Sequence, residues 1–348
     1  MRKFLAVIVA ATAMLAGCSN GPGAGEKRPS GAAVVVVSGG DAVSPFTTRD
    51  QACATGLAAG NTDTAIREYL LGKGYTVYTS PAMNGRGQVV DQQGFGAFGV
   101  CPVTLPENMT VNSTGSIDTA GEHLARFINW LHDEKGVTEV DFVGHSMGGL
   151  YSRAAIRVLA TTDSKVKIRS LTTVGTPWQG SYLSDYANDL VQLSDCRGDK
   201  LCEGAMKDFK ARVLQLMSGS GREVNKNFLA GKGGWNEFQS GVLGQIPVVL
   251  IAGKKFTVPG PVNPGMWPND GLVAEESALA KTVSDPVLPH RRCYVFDDTH
   301  SIFVSNAAGL EWKTALTWDP QVFEVLHQAI EDAPKALEGA NREGCPAP

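Results

Sequence analysis

The sequence predicts an α/β fold, with a mostly parallel sheet covered by helices on both faces. Short apolar strand patterns alternate with helical patterns along the chain, which is typical of parallel strands joined by crossover helices. The first strand pattern, Ala32–Ser38, contains four consecutive valines and has the composition of a strand buried on both faces. A chain of 348 residues is long enough for one large domain of this kind with insertions.

The other elements are predicted from the spacing of their apolar residues. Ile117, Leu124 and Leu131 form one apolar stripe, so residues 117–134 are expected to be an amphipathic helix. Further helices are predicted at Thr62–Leu71, at Leu150–Leu159 and within Pro320–Ile330, and further strands at Tyr75–Thr79, Val140–Val143, Leu171–Val174, Ile246–Ala252 and Arg292–Phe296.

Two segments interrupt this alternation. Residues 80–115 are rich in Gly, Asn, Gln and Pro and are predicted to form a long loop near the entrance to a site. Residues 177–244 separate two strands that a simple crossover would join with far fewer residues. Helices are expected there at Asp185–Leu193 and Ala205–Met217. We interpret this insertion as a helical cap or lid, and a solvated insertion without a gating role remains the alternative.

The N-terminus predicts export. A basic start is followed by the apolar segment Phe4–Ala16, which is too short to span a bilayer, and then by Leu-Ala-Gly-Cys18. This ending resembles the lipobox of bacterial lipoproteins. The resemblance implies a signal peptide over 1–17, a lipid anchor on Cys18 and a flexible tether over 18–31, so that the folded domain, 32–348, is held at the membrane of the cell envelope. An ordinary secretory signal is the alternative, and no transmembrane helix is expected.

The remaining six cysteines favour disulfides over a metal site. An even number in an exported chain is typical of three disulfides, for which fifteen pairings are possible. Pairing by proximity gives Cys53–Cys101, Cys196–Cys202 and Cys293–Cys345, although the sequence does not establish this choice. No C-x-x-C pair is present, which disfavours zinc. The net charge of −4, without a basic block, argues against nucleic-acid binding, and we expect a monomer.

The segment Gly144-His-Ser146-Met-Gly148 follows a strand pattern and precedes a helix pattern. A G-x-S-x-G sequence in this context is the nucleophile elbow, in which the serine occupies a sharp turn and its hydroxyl projects above the sheet edge. Glycines on both sides allow the backbone to approach closely. A structural glycine-rich turn is the alternative reading.

A serine nucleophile needs an imidazole base. His300 follows the strand Arg292–Phe296 and is therefore expected at the carboxyl edge of the sheet, where the elbow also opens. His290 precedes the same strand and should lie at the opposite edge. The His145 side chain is expected to point away from the hydroxyl of its neighbour. The other three histidines, His123, His132 and His327, lie in predicted helices and are interpreted as surface or packing residues.

The acid that orients His300 is predicted to be Asp270. It lies in a loop after the strand Ile246–Ala252, and the chain order serine, aspartate, histidine is the one used by α/β-hydrolases. Asp297 and Asp298 are the rivals, but their closeness to His300 in sequence favours a supporting role or a metal contact.

Three segments together resemble bacterial triacylglycerol lipases and related esterases of the α/β-hydrolase superfamily. They are Val143–Leu150, Gly175–Ser181 and Asn269–Val273, and the resemblance extends over about Ala32 to Leu310. It implies an α/β-hydrolase fold and a carboxylic ester hydrolase that forms an acyl-enzyme on Ser146, acts on lipid or other ester substrates and needs no cofactor.

The chain departs from these lipases after its first core strand, where Ser38-Gly39-Gly40-Asp41 replaces their His-Gly. The oxyanion donors are expected to be the backbone amides of Gly40 and Met147, with Asp41 as the fallback for Gly40. This departure leaves the substrate preference open. The calcium site of these lipases has no clear counterpart either, because no carboxylate cluster in the sequence can be matched to it.

Other functions remain open from the sequence. The same three residues would serve an acyltransferase or a thioesterase, and an inert lipid-binding lipoprotein is a third possibility, against which the complete Ser–Asp–His set argues. Trp178 and Phe303 flank the predicted catalytic loops and either line an acyl pocket or pack in the core.

Overall fold

The computed structural model describes residues 29–48, 62–89, 103–215, 219–337 and 342–345. The strands are β1 Ala32–Val37, β2 Val77–Thr79, β3 Ala82–Met83, β4 Val111–Asn112, β5 Glu139–His145, β6 Lys167–Val174, β7 Val248–Gly253, β8 Arg291–Phe296 and β9 Arg342–Glu343. The α-helices are α1 Thr64–Gly72, α2 Ile117–Lys135, α3 Gly148–Ala160, α4 Tyr182–Ala187, α5 Lys200–Gln215, α6 Gly219–Glu223, α7 Lys226–Ala230, α8 Glu275–Ala278, α9 Ile302–Ala307 and α10 Pro320–Asp332.

Seven strands form one sheet in the order β2-β1-β5-β6-β7-β8-β9, and every neighbouring pair is parallel. The sheet therefore confirms the predicted parallel architecture. Because the strands are parallel, the chain leaves β1, β5, β6, β7 and β8 at one common edge, and polar residues that follow these strands lie near one another.

The alternating side chains of β1 enter two separate cores. Val35 and Val37 belong to a cluster formed with α2 and α3, whereas Val34 and Val36 belong to one formed with α1 and α10. All four are at most 1% exposed, and complete burial of such a side chain stabilises the fold by roughly 1.5–3 kcal/mol. Burial on both faces explains the unbroken valine run and confirms the α/β architecture, with helices on both faces of the sheet, that the sequence predicts.

The boundaries differ most from the prediction in the first helix of the insertion. The helix α4 covers Tyr182–Ala187 instead of Asp185–Leu193. It begins early because Ser181 Oγ accepts a hydrogen bond from the Leu183 amide. It ends at Ala187, before the predicted end at Leu193, because Asp189 adopts a left-handed conformation (φ 59°) that a continuing helix does not allow. The predicted loop 80–115 also contains the small pair of strands β3 and β4.

The segment 177–244 contains α4, α5, α6 and α7. Residues of α4 and α5, including Leu183 and Met206, share a small apolar cluster with Trp267. The Cys196–Cys202 disulfide joins the turn before α5 to that helix. Whether this segment moves as a lid stays a prediction.

Two predicted disulfides are present in the structure. Besides Cys196–Cys202, the bond Cys293–Cys345 ties β8 to the C-terminal segment. The third predicted pair, Cys53–Cys101, lies outside the described residues, as do the signal peptide and Cys18. Across the described parts of the chain, no helix has both the length and the apolar content that crossing a bilayer requires.

Candidate active site

Ser146 lies on the sharp turn between β5 and α3. Its φ of 54° places a non-glycine residue in the left-handed region, which is the strain expected of a nucleophile elbow. The turn is held on both sides: the Ser146 amide donates to the Val174 carbonyl at 2.8 Å, and Thr176 Oγ1 donates to the Ser146 carbonyl at 2.7 Å. The serine side chain is half-buried, so its hydroxyl is accessible.

Glycines allow the backbone to pack tightly around this turn. A Cβ on Gly148 would lie 2.1 Å from the carbonyl oxygen of Val37, and one on Gly39 would lie 2.5 Å from Ser146 Cβ. Both distances are far below van der Waals contact, so no side chain fits at either position. The glycines thus bring the end of β1 against the elbow.

Asp270 and His300 are joined at the same edge of the sheet. His300 Nδ1 and Asp270 Oδ2 are 2.7 Å apart, with exposures of 2% and 0%. Asp270 Oδ1 accepts from the amides of Leu272 and Val273 at 2.9 and 2.8 Å. The His300 amide donates to the Asp270 carbonyl at 2.7 Å. Backbone amides therefore fix the carboxylate, and the carboxylate in turn holds the imidazole.

His300 Nε2, the ring nitrogen opposite the Asp270 contact, is buried and has no hydrogen-bond partner among the described residues. The structure therefore shows no hydrogen bond between His300 Nε2 and Ser146 Oγ. Gly175 lies beside His300, because its left-handed backbone (φ 59°) would place a Cβ 3.0 Å from His300 Nδ1. Gly175 directly follows Val174, whose carbonyl accepts the hydrogen bond from the Ser146 amide. A serine–histidine hydrogen bond that is long in the free protein often tightens when substrate binds.

Among the described residues, no backbone carbonyl accepts a hydrogen bond from the amide of Gly40 or of Met147. By contrast, the Asp41 amide donates to the Ser113 carbonyl at 3.2 Å, so the fallback donor is already engaged. A Cβ on Gly40 would lie 2.6 Å from Met147 Sδ, so the Met147 side chain packs against Gly40. The Asp41 side chain forms an ion pair with Arg212 of α5, which links the 177–244 segment to this loop.

The rival acids contact other groups. Asp297 pairs with Lys255 at 2.9 Å. Asp298 is 5% exposed, and burial together with the neighbouring Asp319 carboxyl raises the pKa of Asp298 to about 8. Neither carboxyl contacts the His300 ring. No group of three or more metal-ligating side chains occurs among the residues that the structure describes.

Trp178 packs in the core. It is fully buried, its ring lies 4.0 Å from the Arg153 guanidinium carbon, and its Nε1 donates to Thr173 Oγ1 at 3.1 Å. Burial lowers the pKa of Arg153 to about 9. Of the two aromatic residues considered for an acyl pocket, only Phe303, which is 42% exposed, is accessible.

Sequence reasoning missed two residues of the site. Asp63, just before α1, is fully buried, and its Oδ1 lies 3.4 Å from His145 Nδ1. His145, on the other side of this contact, has its Nε2 3.1 Å from the His300 carbonyl oxygen. Asp63 has the sequence context of an ordinary helix N-cap, and nothing local indicates its contact with β5.

Comparison with known proteins relates this geometry to lipolytic enzymes. Residues 100–214, about a third of the chain, match the family described as "Putative serine esterase (DUF676)". A triacylglycerol lipase of Pseudarthrobacter phenanthrenivorans and one of Burkholderia plantarii are each 35% identical over 72 residues, or 21% of this chain. The chain is similar to serine esterases and lipases. The matched segment spans about a fifth of the length of these curated relatives.

Solved structures of similar proteins include Bacillus licheniformis lipase BlEst2 in its propeptide form. It is 16% identical, with 90% of this chain and 52% of that chain covered and a TM-score of 0.46. The Pyrococcus furiosus esterase Pf2001 is 17% identical, with 86% and 84% covered and a TM-score of 0.41.

Proposed function

We propose that this protein hydrolyses carboxylic esters through an acyl-enzyme on Ser146. The observation that carries the proposal is the buried contact of 2.7 Å between His300 Nδ1 and Asp270 Oδ2, at the sheet edge where the strained Ser146 turn opens. The backbone amides of Gly40 and Met147, which follow β1 and β5, donate to no backbone carbonyl of the described residues and are the proposed oxyanion donors. Nucleophile, base, orienting acid and oxyanion donors are the parts that acyl transfer requires.

Acylation begins when Ser146 Oγ attacks the ester carbonyl carbon and His300 Nε2 takes the serine proton. The carbonyl oxygen becomes an oxyanion, and the amides of Gly40 and Met147 donate to it. One such donor is worth roughly 100- to 1000-fold in rate. His300 then gives its proton to the leaving alkoxide, and the alcohol departs.

Deacylation repeats these steps with water. His300 removes a proton from the water molecule, hydroxide adds to the acyl carbon, and the proton returns to Ser146 Oγ as the carboxylic acid leaves. Asp270 accepts from Nδ1–H throughout, which keeps a lone pair on Nε2 and stabilises the imidazolium that forms.

Lipid acyl esters are the proposed substrates, and the envelope is the proposed location. The sequence resemblance to lipases and the similarity to two proteins named triacylglycerol lipase support the substrate class. The apolar N-terminal segment ending in Leu-Ala-Gly-Cys18 supports export and lipid anchoring at Cys18. A lipid anchor would keep the folded domain near a membrane source of acyl esters.

Hydrolysis of p-nitrophenyl esters of increasing acyl length tests this proposal. Ser146→Ala removes the nucleophile, so kcat is expected to fall by about 10⁶. Ser152→Ala is the matched control, because Ser152 lies in α3 and its hydroxyl donates to the Gly148 carbonyl; it should keep activity within about threefold. Equal activity in wild type and Ser146→Ala would refute the proposal.

A further inference from the structure

A second aspartate–histidine pair lies directly behind His300. His145 is 4% exposed, Asp63 is fully buried, and the centroids of the His145 and His300 rings are 4.8 Å apart. Neither Asp63 nor His145 takes part in the proton transfers described above. Two buried titratable groups in contact with each other and with the base residue call for a physical account.

The contact with His300 fixes the proton on one nitrogen of His145. Its Nε2 lies 3.1 Å from the His300 carbonyl oxygen, which can only accept, so Nε2 must donate. Burial, reinforced by the nearby His300, lowers the pKa of His145 well below its usual value, so the ring is neutral. A neutral ring with its proton on Nε2 has a bare lone pair on Nδ1.

That lone pair faces a carboxyl oxygen. His145 Nδ1 lies 3.4 Å from Asp63 Oδ1, and neither atom has a hydrogen-bond partner among the described residues. The other carboxyl oxygen, Oδ2, accepts from Ser38 Oγ at 2.6 Å. Two buried lone pairs repel unless a proton lies between them. Burial raises the pKa of Asp63 to about 7, so the carboxyl group holds that proton at lower pH.

We propose that Asp63 and His145 are positioning residues that share one buried proton and hold the main chain of His300, and that loss of this proton places a second carboxylate beside the base. The shared proton follows from the geometry of the pair and the burial of both groups, and it does not depend on the proposed function. The effect on catalysis rests on the proposed ester hydrolysis.

The surroundings of Asp63 contain few other charges. Ser38 and Thr62 provide side-chain hydrogen bonds, and these together with the electrostatic effect of His300 oppose the burial that raises the pKa of Asp63. Arg67, one turn along α1, directs its guanidinium to Thr47, to Glu68 and to the Thr48 carbonyl instead. His145 faces Asp63 on one side and His300 on the other. The carboxylate is thus compensated mainly by the imidazolium that forms during catalysis.

Unfolding temperatures of wild type and Asp63→Asn across pH 5–8 test the shared proton. The introduced amide cannot ionise, yet it can donate to His145 Nδ1. Since the Asp63 pKa is raised in the folded state, the stability that its proton provides is present at low pH and is lost as pH rises toward 7. Wild type should therefore lose at least about 3 °C relative to Asp63→Asn between pH 5 and 8. A constant difference would overturn the shared proton.

The pH dependence of kcat tests the coupling to His300. Loss of the Asp63 proton should help to stabilise the imidazolium, so the ratio of wild-type to Asp63→Asn kcat is expected to rise roughly tenfold between pH 6 and 8. Asp185→Asn is the matched control. Burial raises the pKa of Asp185 to about 6, but its carboxyl accepts from the Lys226 amide in the 177–244 segment. The ratio of wild-type to Asp185→Asn kcat should therefore not change between pH 6 and 8. If the ratio of wild-type to Asp63→Asn kcat also stays constant over this range, the coupling to His300 is overturned.

Variants of His145 test the hold on the His300 main chain. His145→Leu removes the donor and should lower kcat about 100-fold while KM changes by less than about threefold. His145→Gln keeps a side-chain N–H, so its kcat should be at least about tenfold higher than that of His145→Leu. Equal losses in the two variants, both folded by circular dichroism, would overturn the positioning role. If wild type hydrolyses no ester, the proposed function fails, and the unfolding measurement still decides the shared proton.

Discussion

His300→Gln is expected to lower kcat for ester hydrolysis by about 10⁶, as much as Ser146→Ala. In serine hydrolases the base and the nucleophile act as one unit, so removing either abolishes the same proton transfer. Glutamine is close to histidine in size and cannot accept the serine proton and return it. The measurement is steady-state hydrolysis of p-nitrophenyl butyrate at pH 8.

His290→Gln is the matched control for this variant. His290 directly precedes β8, whereas His300 follows it, so the two histidines lie at opposite edges of the parallel sheet. We expect His290→Gln to keep activity within about threefold of wild type. A larger loss in His290→Gln than in His300→Gln would contradict the assignment of the base.

Gly148→Ala is expected to destabilise the fold by about 3 kcal/mol, at the upper end of the usual cost of overpacking. The added methyl group would lie 2.1 Å from the Val37 carbonyl oxygen. That neighbour is backbone of a central strand and cannot turn aside. Relief therefore requires α3 to move away from β1, which also displaces Ser146. Urea unfolding at 25 °C measures the change in the free energy of unfolding.

Gly204→Ala provides the contrast within the same chain. Gly204 lies inside α5, and a Cβ there would meet no atom within 4 Å. The substitution should stabilise the protein by about 0.5–1 kcal/mol, because alanine favours a helix more than glycine does. Similar changes in both variants would show that the Gly148 contact does not constrain the elbow.

The sequence predicts much of the fold because most of the signals are local. The valine run of β1, the apolar stripe of α2 and the glycines around Ser146 each reflect burial or backbone geometry within a few residues. Ser146, Asp270 and His300 follow the strands β5, β7 and β8, so the parallel sheet brings all three to the same edge. The structure brings Asp270 to His300 because strands β7 and β8 are neighbours.

The sequence does not reveal contacts made between distant segments. Asp63 and His145 are 82 positions apart, and their approach depends on how α1 packs beside β5. The end of α4 at Ala187 depends on the turn at Asp189, whose left-handed backbone no apolar spacing reports. The engagement of the Asp41 amide by Ser113 likewise depends on tertiary structure.

These missed contacts surround the proposed chemistry. Asp41 is excluded as an oxyanion donor by its bond to the Ser113 carbonyl, which leaves Gly40 and Met147. Asp63 and His145 place a buried, titratable pair against the base residue. Local pattern therefore predicts the candidate catalytic residues, whereas tertiary packing determines the contacts that hold them.

Peptide mapping by mass spectrometry after reaction with a fluorophosphonate tests whether Ser146 is a nucleophile that His300 activates. The reagent phosphonylates a serine that an imidazole has activated. If His300 activates Ser146, a single adduct forms on Ser146 in wild type and is lost in His300→Gln. An unlabelled wild type, or an adduct on another residue that persists without His300, would contradict it.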